Sequence, residues 1–224
     1  MRYKALIIGA GRIGAGYKWD QDLSYTHSGA YKALSDRVEL LGFLEPIVER
    51  GAAASRKWGL PYFTSPLEST VKELKPDIIS ICTQPETQSL IYEQLRGCSA
   101  RVLWTEKPYW GPRKFPIPTQ VNYMRRADPR HQAIAENAPM EALIVQGKLD
   151  HHTVPHFEDL ARWWKVKRII YHIFDGPCSY TIEGNGGYAP FPNGGVDGGK
   201  CFKGMLENII AFLDNGTPLW SPAP

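Results

Sequence analysis

Short apolar runs separated by glycine, proline and charged breaks dominate the first half of the chain, and two spacings alternate along it. Ala5-Leu6-Ile7-Ile8 and residues 38–44, 61–63, 77–82 and 101–105 are compact apolar stretches, the pattern of strands buried on both faces. Between them, residues 47–59, 67–74 and 87–95 space their apolar positions as amphipathic helices do. Strands alternating with helices predict a parallel sheet wound by right-handed crossovers. In such a sheet a ligand lies across the carboxyl ends of the strands. Those ends are the turn after Ile8, Glu45, Thr83-Gln84-Pro85 and Glu106-Lys107-Pro108.

The first of these turns is Gly9-Ala10-Gly11-Arg12-Ile13-Gly14, a GxGxxG directly behind an apolar strand. Gly9 permits the tight turn, Gly11 lets backbone approach a pyrophosphate, and Gly14 lets the next helix pack close. Taken alone, the pattern fits a structural turn equally well. Glu45, at the end of the run 38–44, is placed to accept both hydroxyls of an adenosine ribose, which favours NAD over NADP because a carboxylate repels a 2′-phosphate. It stands about thirty residues past the turn, beyond the usual spacing of roughly twenty, so an added loop is expected over 17–28. The competing reading of Glu45 is an exposed loop carboxylate.

After residue 105 the alternation stops. A proline-rich stretch leads to residue 118, and strands are then expected at 121–126, 141–145, 168–174 and 179–183, with a helix at 205–213 closed by Gly216. On the expected strand 121–126, Asn122, Met124 and Arg126 share one face. Residues 184–199 hold seven glycines and read as a turn region. The fold class is therefore α/β: a Rossmann doubly wound parallel sheet in 1–118, then a smaller α+β domain with a mostly antiparallel open sheet in 119–224.

Composition narrows the function classes. The chain has 224 residues, 43% of them hydrophobic, and a net charge of +3 with both signs interspersed, so neither nucleic acid nor a membrane surface is the expected partner. No apolar run has membrane-spanning or signal-peptide length, and a cytoplasmic protein is expected. Cys82, Cys98, Cys178 and Cys201 are widely separated and read as free thiols. His151, His152 and His156 lack a Cys or Glu at helical spacing, Pro155 interrupts the segment, and no metal is expected there.

In order and spacing, the GxGRIG turn, Tyr25-Thr26-His27-Ser28-Gly29-Ala30-Tyr31, Thr83-Gln84-Pro85, Glu106-Lys107-Pro108, residues 122–129 and His156-Phe157-Glu158-Asp159-Leu160-Ala161-Arg162-Trp163-Trp164 resemble the Gfo/Idh/MocA oxidoreductases. The resemblance implies an NAD-binding domain and an open sheet that carries the substrate and an oligomer interface. It assigns cofactor contacts to Gly9, Gly11, Arg12, Ile13, Gly14, Glu45, Thr83, Gln84, Gln88, Glu106 and Lys107. It implies that Lys107 polarises the reacting oxygen and that His156 takes the hydroxyl proton. His152 stands where family members carry a carboxylate or amide that orients substrate, and Arg126 where they carry a strand arginine. Relatives with a full substrate domain are longer, so a compressed second sheet is expected, covered in a homo-oligomer.

The expected activity is hydride transfer between NAD and a hydroxyl-bearing carbon of a sugar, cyclitol or nucleotide sugar, in surface-polysaccharide synthesis. Two alternatives stay open: a dinucleotide-binding sensor without turnover, and a reductase of an imine or tetrapyrrole-like substrate.

Overall fold

In a computed structural model, residues 2–19, 22–150, 153–184, 187–191 and 196–223 are described. They form two compact units, residues 1–122 with 198–224, and residues 123–197.

The first unit carries a sheet of six strands: β1 Tyr3–Ile8, β2 Val38–Leu44, β3 Tyr62–Phe63, β4 Ile78–Ile81, β5 Val102–Thr105 and β6 Thr119–Val121, in the order β3-β2-β1-β4-β5-β6. Every neighbouring pair is parallel. The helices are α1 Arg12–Ala15, α2 His27–Ala33, α3 Val48–Trp58, α4 Leu67–Leu74 and α5 Pro85–Leu95. A turn of 3-10 helix at Leu23–Tyr25 occupies part of the expected loop. Alternation along the strands decides which helices cover which face. Leu6, Ile8, Ile79, Ile81 and Leu103 join a buried cluster with Val71 of α4 and Ile91, Tyr92 and Leu95 of α5. The alternate positions Ser80 and Trp104 face the other way, toward Tyr31 of α2 and Phe202 of the C-terminal helix.

That helix, α8 Gly198–Asn215, overturns the expected boundary at 118/119. It packs against α2 in the first unit, where Gln120 Nε2 donates to the Met205 carbonyl at 2.9 Å and Arg37 meets Asp214. The physical reason is coverage, because a parallel sheet needs helices on both faces. α8 also begins earlier than its apolar spacing suggests. Its first position, Gly198, calls for glycine, because a Cβ there would lie 2.1 Å from the Tyr25 ring.

The second unit is built from α6 Pro129–Glu136, β7 Ala142–Gly147, α7 Val154–Trp163, β8 Arg168–Ile173, β9 Ser179–Gly184 and β10 Gly187–Phe191. Its sheet runs β10-β9-β7-β8, with β7/β8 parallel and the other pairs antiparallel. Phe157, Leu160 and Trp164 of α7 bury against Leu143, Val145, Tyr180 and Ile182. β10 corrects the reading of 184–199 as turn alone: Phe191 stacks on Tyr180 with ring centroids 4.8 Å apart.

The expected strand 121–126 is also corrected. Its start belongs to β6 of the first sheet, and Met124–Ala127 is a 3-10 turn that leads into α6, where Asp128 caps the helix and Pro129 occupies its first turn. Arg126 is therefore on a turn, not on a strand face.

Candidate active site

Gly9 and Gly14 are demanded by the fold. Gly9 has φ +94°, and a Cβ on it would sit 2.8 Å from the Cys82 carbonyl; one on Gly14 would sit 2.2 Å from the Gly9 carbonyl. Gly11 differs, because a Cβ there would meet nothing within 4 Å. Open space beside an unobstructed backbone is the cradle a pyrophosphate needs. Arg12 is exposed and lies over the Trp19 ring at 4.7 Å, and Ile13 is half-buried.

Glu45 is only 2% exposed, which excludes the exposed-carboxylate reading. Its Oε2 accepts from the Ala10 N–H at 2.9 Å and its Oε1 from the Ile47 N–H at 3.0 Å, with Arg50 Nη1 at 3.5 Å. The carboxylate braces the glycine turn against the tip of β2.

At the tip of β4, the Thr83 hydroxyl oxygen is buried with no hydrogen-bond partner in the protein, so the position offers a polar atom to a ligand. Gln84 is exposed and stands at the N-cap of α5. Gln88 departs from expectation. It is fully buried, its Nε2 donates to the carbonyls of Glu106 at 3.3 Å and Pro108 at 3.4 Å, and its Oε1 accepts from the Trp110 N–H at 3.0 Å. It holds the loop after β5 in place and has no surface for a cofactor.

That loop carries Glu106 and a half-buried Lys107, whose bond to Pro108 is cis. The Glu106 carboxylate is 8% exposed and receives His27 Nε2 at 2.9 Å and Asn122 Nδ2 at 2.5 Å. Burial alone would raise its carboxyl, but the hydrogen bond and charge of His27, the Lys107 ammonium and Asn122 outweigh burial and hold it below the ordinary carboxylate range. His27 and Asn122 were not singled out individually from the sequence, although both lie in the quoted segments. His27 and Tyr31 share one helix face at i, i+4 spacing, and that was the legible signal.

In the second unit, His156 is 7% exposed near the start of α7, with the Tyr123 ring 6.3 Å away in edge contact. Arg126 grips Asp159 through Nε at 2.9 Å and Nη2 at 2.7 Å and lies over the Trp163 ring. Asp159, one turn beyond His156, was not singled out from the sequence. Arg126 thus fastens the His156 helix to the preceding turn instead of projecting from a strand. His152 lies outside the described residues. Among the described residues no group of three His, Cys, Asp or Glu gathers, and no helix is long and apolar enough to cross a membrane.

Solved structures share this architecture. An oxidoreductase from Agrobacterium radiobacter in complex with NAD+, L-tartaric acid and magnesium superposes with a TM-score of 0.75 at 10% identity, covering 100% of this chain and 92% of that one. The WlbA dehydrogenase from Bordetella pertussis in complex with NADH and UDP-GlcNAcA gives 0.69 at 16% identity, covering 100% and 91%. A myo-inositol dehydrogenase from Corynebacterium glutamicum gives 0.67 at 14% identity, covering 97% and 90%. At these identities the likeness establishes the fold alone. No curated protein matches the chain in sequence. The model of the Gfo/Idh/MocA family, described as an oxidoreductase family with an NAD-binding Rossmann fold, matches residues 3–110, the region that carries all four strand tips described above. Residues 3–110 are thus an NAD-binding Rossmann domain of the Gfo/Idh/MocA oxidoreductase type.

Proposed function

We propose that this protein is an NAD-dependent dehydrogenase acting on a hydroxyl-bearing carbon of a sugar, cyclitol or nucleotide sugar, with a place in surface-polysaccharide synthesis. The observation that carries the reading is the contrast within the glycine turn: Gly9 and Gly14 satisfy the fold, while Gly11 leaves open space through which a ligand can approach the backbone. The orphaned Thr83 hydroxyl on the neighbouring strand tip fits the same ligand. Glu45, whose oxygens are taken up in bracing the glycine turn, supports NAD over NADP through its charge, which disfavours a 2′-phosphate beside the tip of β2.

Bound NAD supplies the hydride acceptor. The chain's own groups would do the rest. Lys107, beside the Glu106 carboxylate, carries an ammonium that polarises the substrate oxygen and stabilises alkoxide as it develops. His156 takes the hydroxyl proton, a task suited to an imidazole near neutral pH. Arg126 and Asp159 hold the helix that presents His156, and His152 is assigned to the substrate. The naming of one structural neighbour as a myo-inositol dehydrogenase and the UDP-GlcNAcA bound in another support this substrate class. A homo-oligomer through the second sheet is supported by its edge strand β8, where Tyr171 and Ile173, with Phe174 just beyond, are exposed.

The test follows reduced nicotinamide by absorbance with NAD or NADP and a panel of sugars, cyclitols and nucleotide sugars, alongside Lys107→Ala. Turnover with NAD, lost in Lys107→Ala, is expected. Binding of NAD without turnover of any compound would favour a sensor. If neither dinucleotide raises the melting temperature, the reading fails.

A further inference from the structure

We propose that His27 is a positioning residue for the tip of β5: together with Asn122 it fixes the buried Glu106 carboxylate in place and in its charged form beside Lys107. The proposal rests on the reading of Lys107 as the amine that meets substrate.

His27 is fully buried, with its ring centroid 3.9 Å from that of Trp104 and 5.5 Å from that of Phe202. An apolar side chain would suit such surroundings, and replacing buried polar groups by apolar ones of similar size is often neutral or stabilising. The polar groups instead form a continuous chain. Tyr31 OH lies 2.8 Å from Ser80 Oγ, Ser80 Oγ lies 3.0 Å from His27 Nδ1, and His27 Nε2 lies 2.9 Å from Glu106 Oε1. One placement of hydrogens satisfies each link. Ionised Glu106 only accepts, so Nε2 carries the proton, Nδ1 accepts from Ser80, and Ser80 accepts from Tyr31.

The far end of this chain is closed to solvent. Tyr31 is 1% exposed and burial drives its hydroxyl far above the ordinary range, so the chain is a brace and not a proton exit. Its open end is Glu106. The ionisable groups facing that carboxylate are His27 from α2, Lys107 from the same loop and Cys82 from the tip of β4, whose thiol burial and Glu106 itself push upward. His27 and Asn122 hydrogen-bond the carboxylate through side chains, and Asn122 holds the position just past β6. An opposite charge next to an amine favours its protonated form. Removing His27 takes one side-chain donor from Glu106 and weakens its hold on a proton-free state. The Glu106 carboxyl beside Lys107 then takes up a proton at a higher pH than it does in wild type.

The experiment needs neither substrate nor cofactor. The side-chain carboxyls of the full chain, labelled with carbon-13, are followed by NMR across a pH series, with Glu106→Gln identifying the Glu106 signal and exposed Glu68 as internal standard. In His27→Ala the Glu106 midpoint is expected to move up by about one pH unit, a roughly tenfold rise in its protonated fraction at fixed pH, while Glu68 stays put. His27→Gln, which restores an N–H donor, should return the midpoint toward wild type. His27→Phe, which fills the site with an apolar ring, takes the place of His27→Ala if that variant does not fold. An unchanged Glu106 midpoint in whichever of these folds overturns the proposal. The NAD-dependent melting shift of wild type is measured separately, so loss of the dehydrogenase reading is distinguishable from loss of this one.

Discussion

Both units bury charged side chains, but they bury them in different places. In the first unit Glu45, Glu106, His27 and Asn122 gather at or beside strand tips, braced to the backbone and to each other where a ligand would lie. In the second, Arg125, Asp128, His131 and Asp159 sit between helices and sheet, packed among aromatic rings: Arg125 over Phe157 and Tyr180, and His131 stacked on Trp164. The first unit has an apolar core broad enough to hold the sheet without these groups, so its buried charge is available for chemistry. The second unit has a small core, and its buried charge is part of what holds it together. Buried polar groups thus gather at the strand tips in one region and among the aromatic rings of the core in the other.

The sharpest way to break this comparison is to remove a buried charge from the second unit. Asp159→Ala leaves the Arg126 guanidinium, 13% exposed, without its bidentate partner. Breaking a buried pair on one side costs about 3–5 kcal/mol. Hydrogen exchange should quicken in α7 and β7 while β1 and β4 keep their protection. If both units lose protection equally, or neither does, the division of roles is wrong.

Acid supplies the next effect, with a sign set by burial. His131 is held down from 6.5 to about 4, first by burial, which the nearby Asp128 carboxylate only partly offsets. Its Nε2 lies 2.5 Å from Tyr180 OH. Between these two values the unfolded chain takes up a proton that the folded one refuses, so stability is complete above pH 6.5 and declines toward pH 4. At about 1.36 kcal/mol per pH unit the loss is about 3 kcal/mol. Asp128 acts lower. It is held down from 3.8 to about 2, so what it contributes is lost only as pH falls through that lower window. Glu106 in the first unit lies below its ordinary 4.5, so its contribution is intact at pH 5. Moving from pH 7 to pH 5 should therefore loosen β7 and β9 and spare β1 and β4, and His131→Gln should flatten the response.

The same contrast explains what could be read from the residues. The first sheet is written in local terms: apolar runs bounded by Gly, Pro and Asp place β1, β2, β4 and β5 within a residue or two, and α4 runs over the residues its spacing predicts. β6 is three residues long and defined only by pairing with β5, so it escaped into the following domain. The 121–126 strand failed for a local reason, since Asp128-Pro129 is a helix start and the segment before it has no apolar alternation. α8 was assigned to the wrong unit because its partners in α2 are remote in sequence. At the site, Gly9, Gly14, Glu45 and Glu106 stood out by position. His27 did not, because its role depends on Glu106, 79 residues away.

The smallest effect on stability carries the sharpest statement about the first unit. Gly14→Ala and Gly11→Ala are the same change three residues apart. At Gly14 the new methyl would fall 2.2 Å from the Gly9 carbonyl, a backbone atom that cannot swing aside. Overpacking of this kind costs about 1–3 kcal/mol. At Gly11 the methyl enters space where nothing lies within 4 Å, and φ is −73°, a value open to any residue. There the melting temperature should stay within the range of a surface substitution, roughly ±0.5 kcal/mol. Binding should show the reverse emphasis, because the methyl fills the approach to the pyrophosphate. A tenfold or greater loss of NAD affinity in a Gly11→Ala protein of wild-type stability would separate ligand space from folding space inside one turn. Wild-type affinity in that variant would mean the open space at Gly11 serves no ligand, and the turn would revert to a structural one.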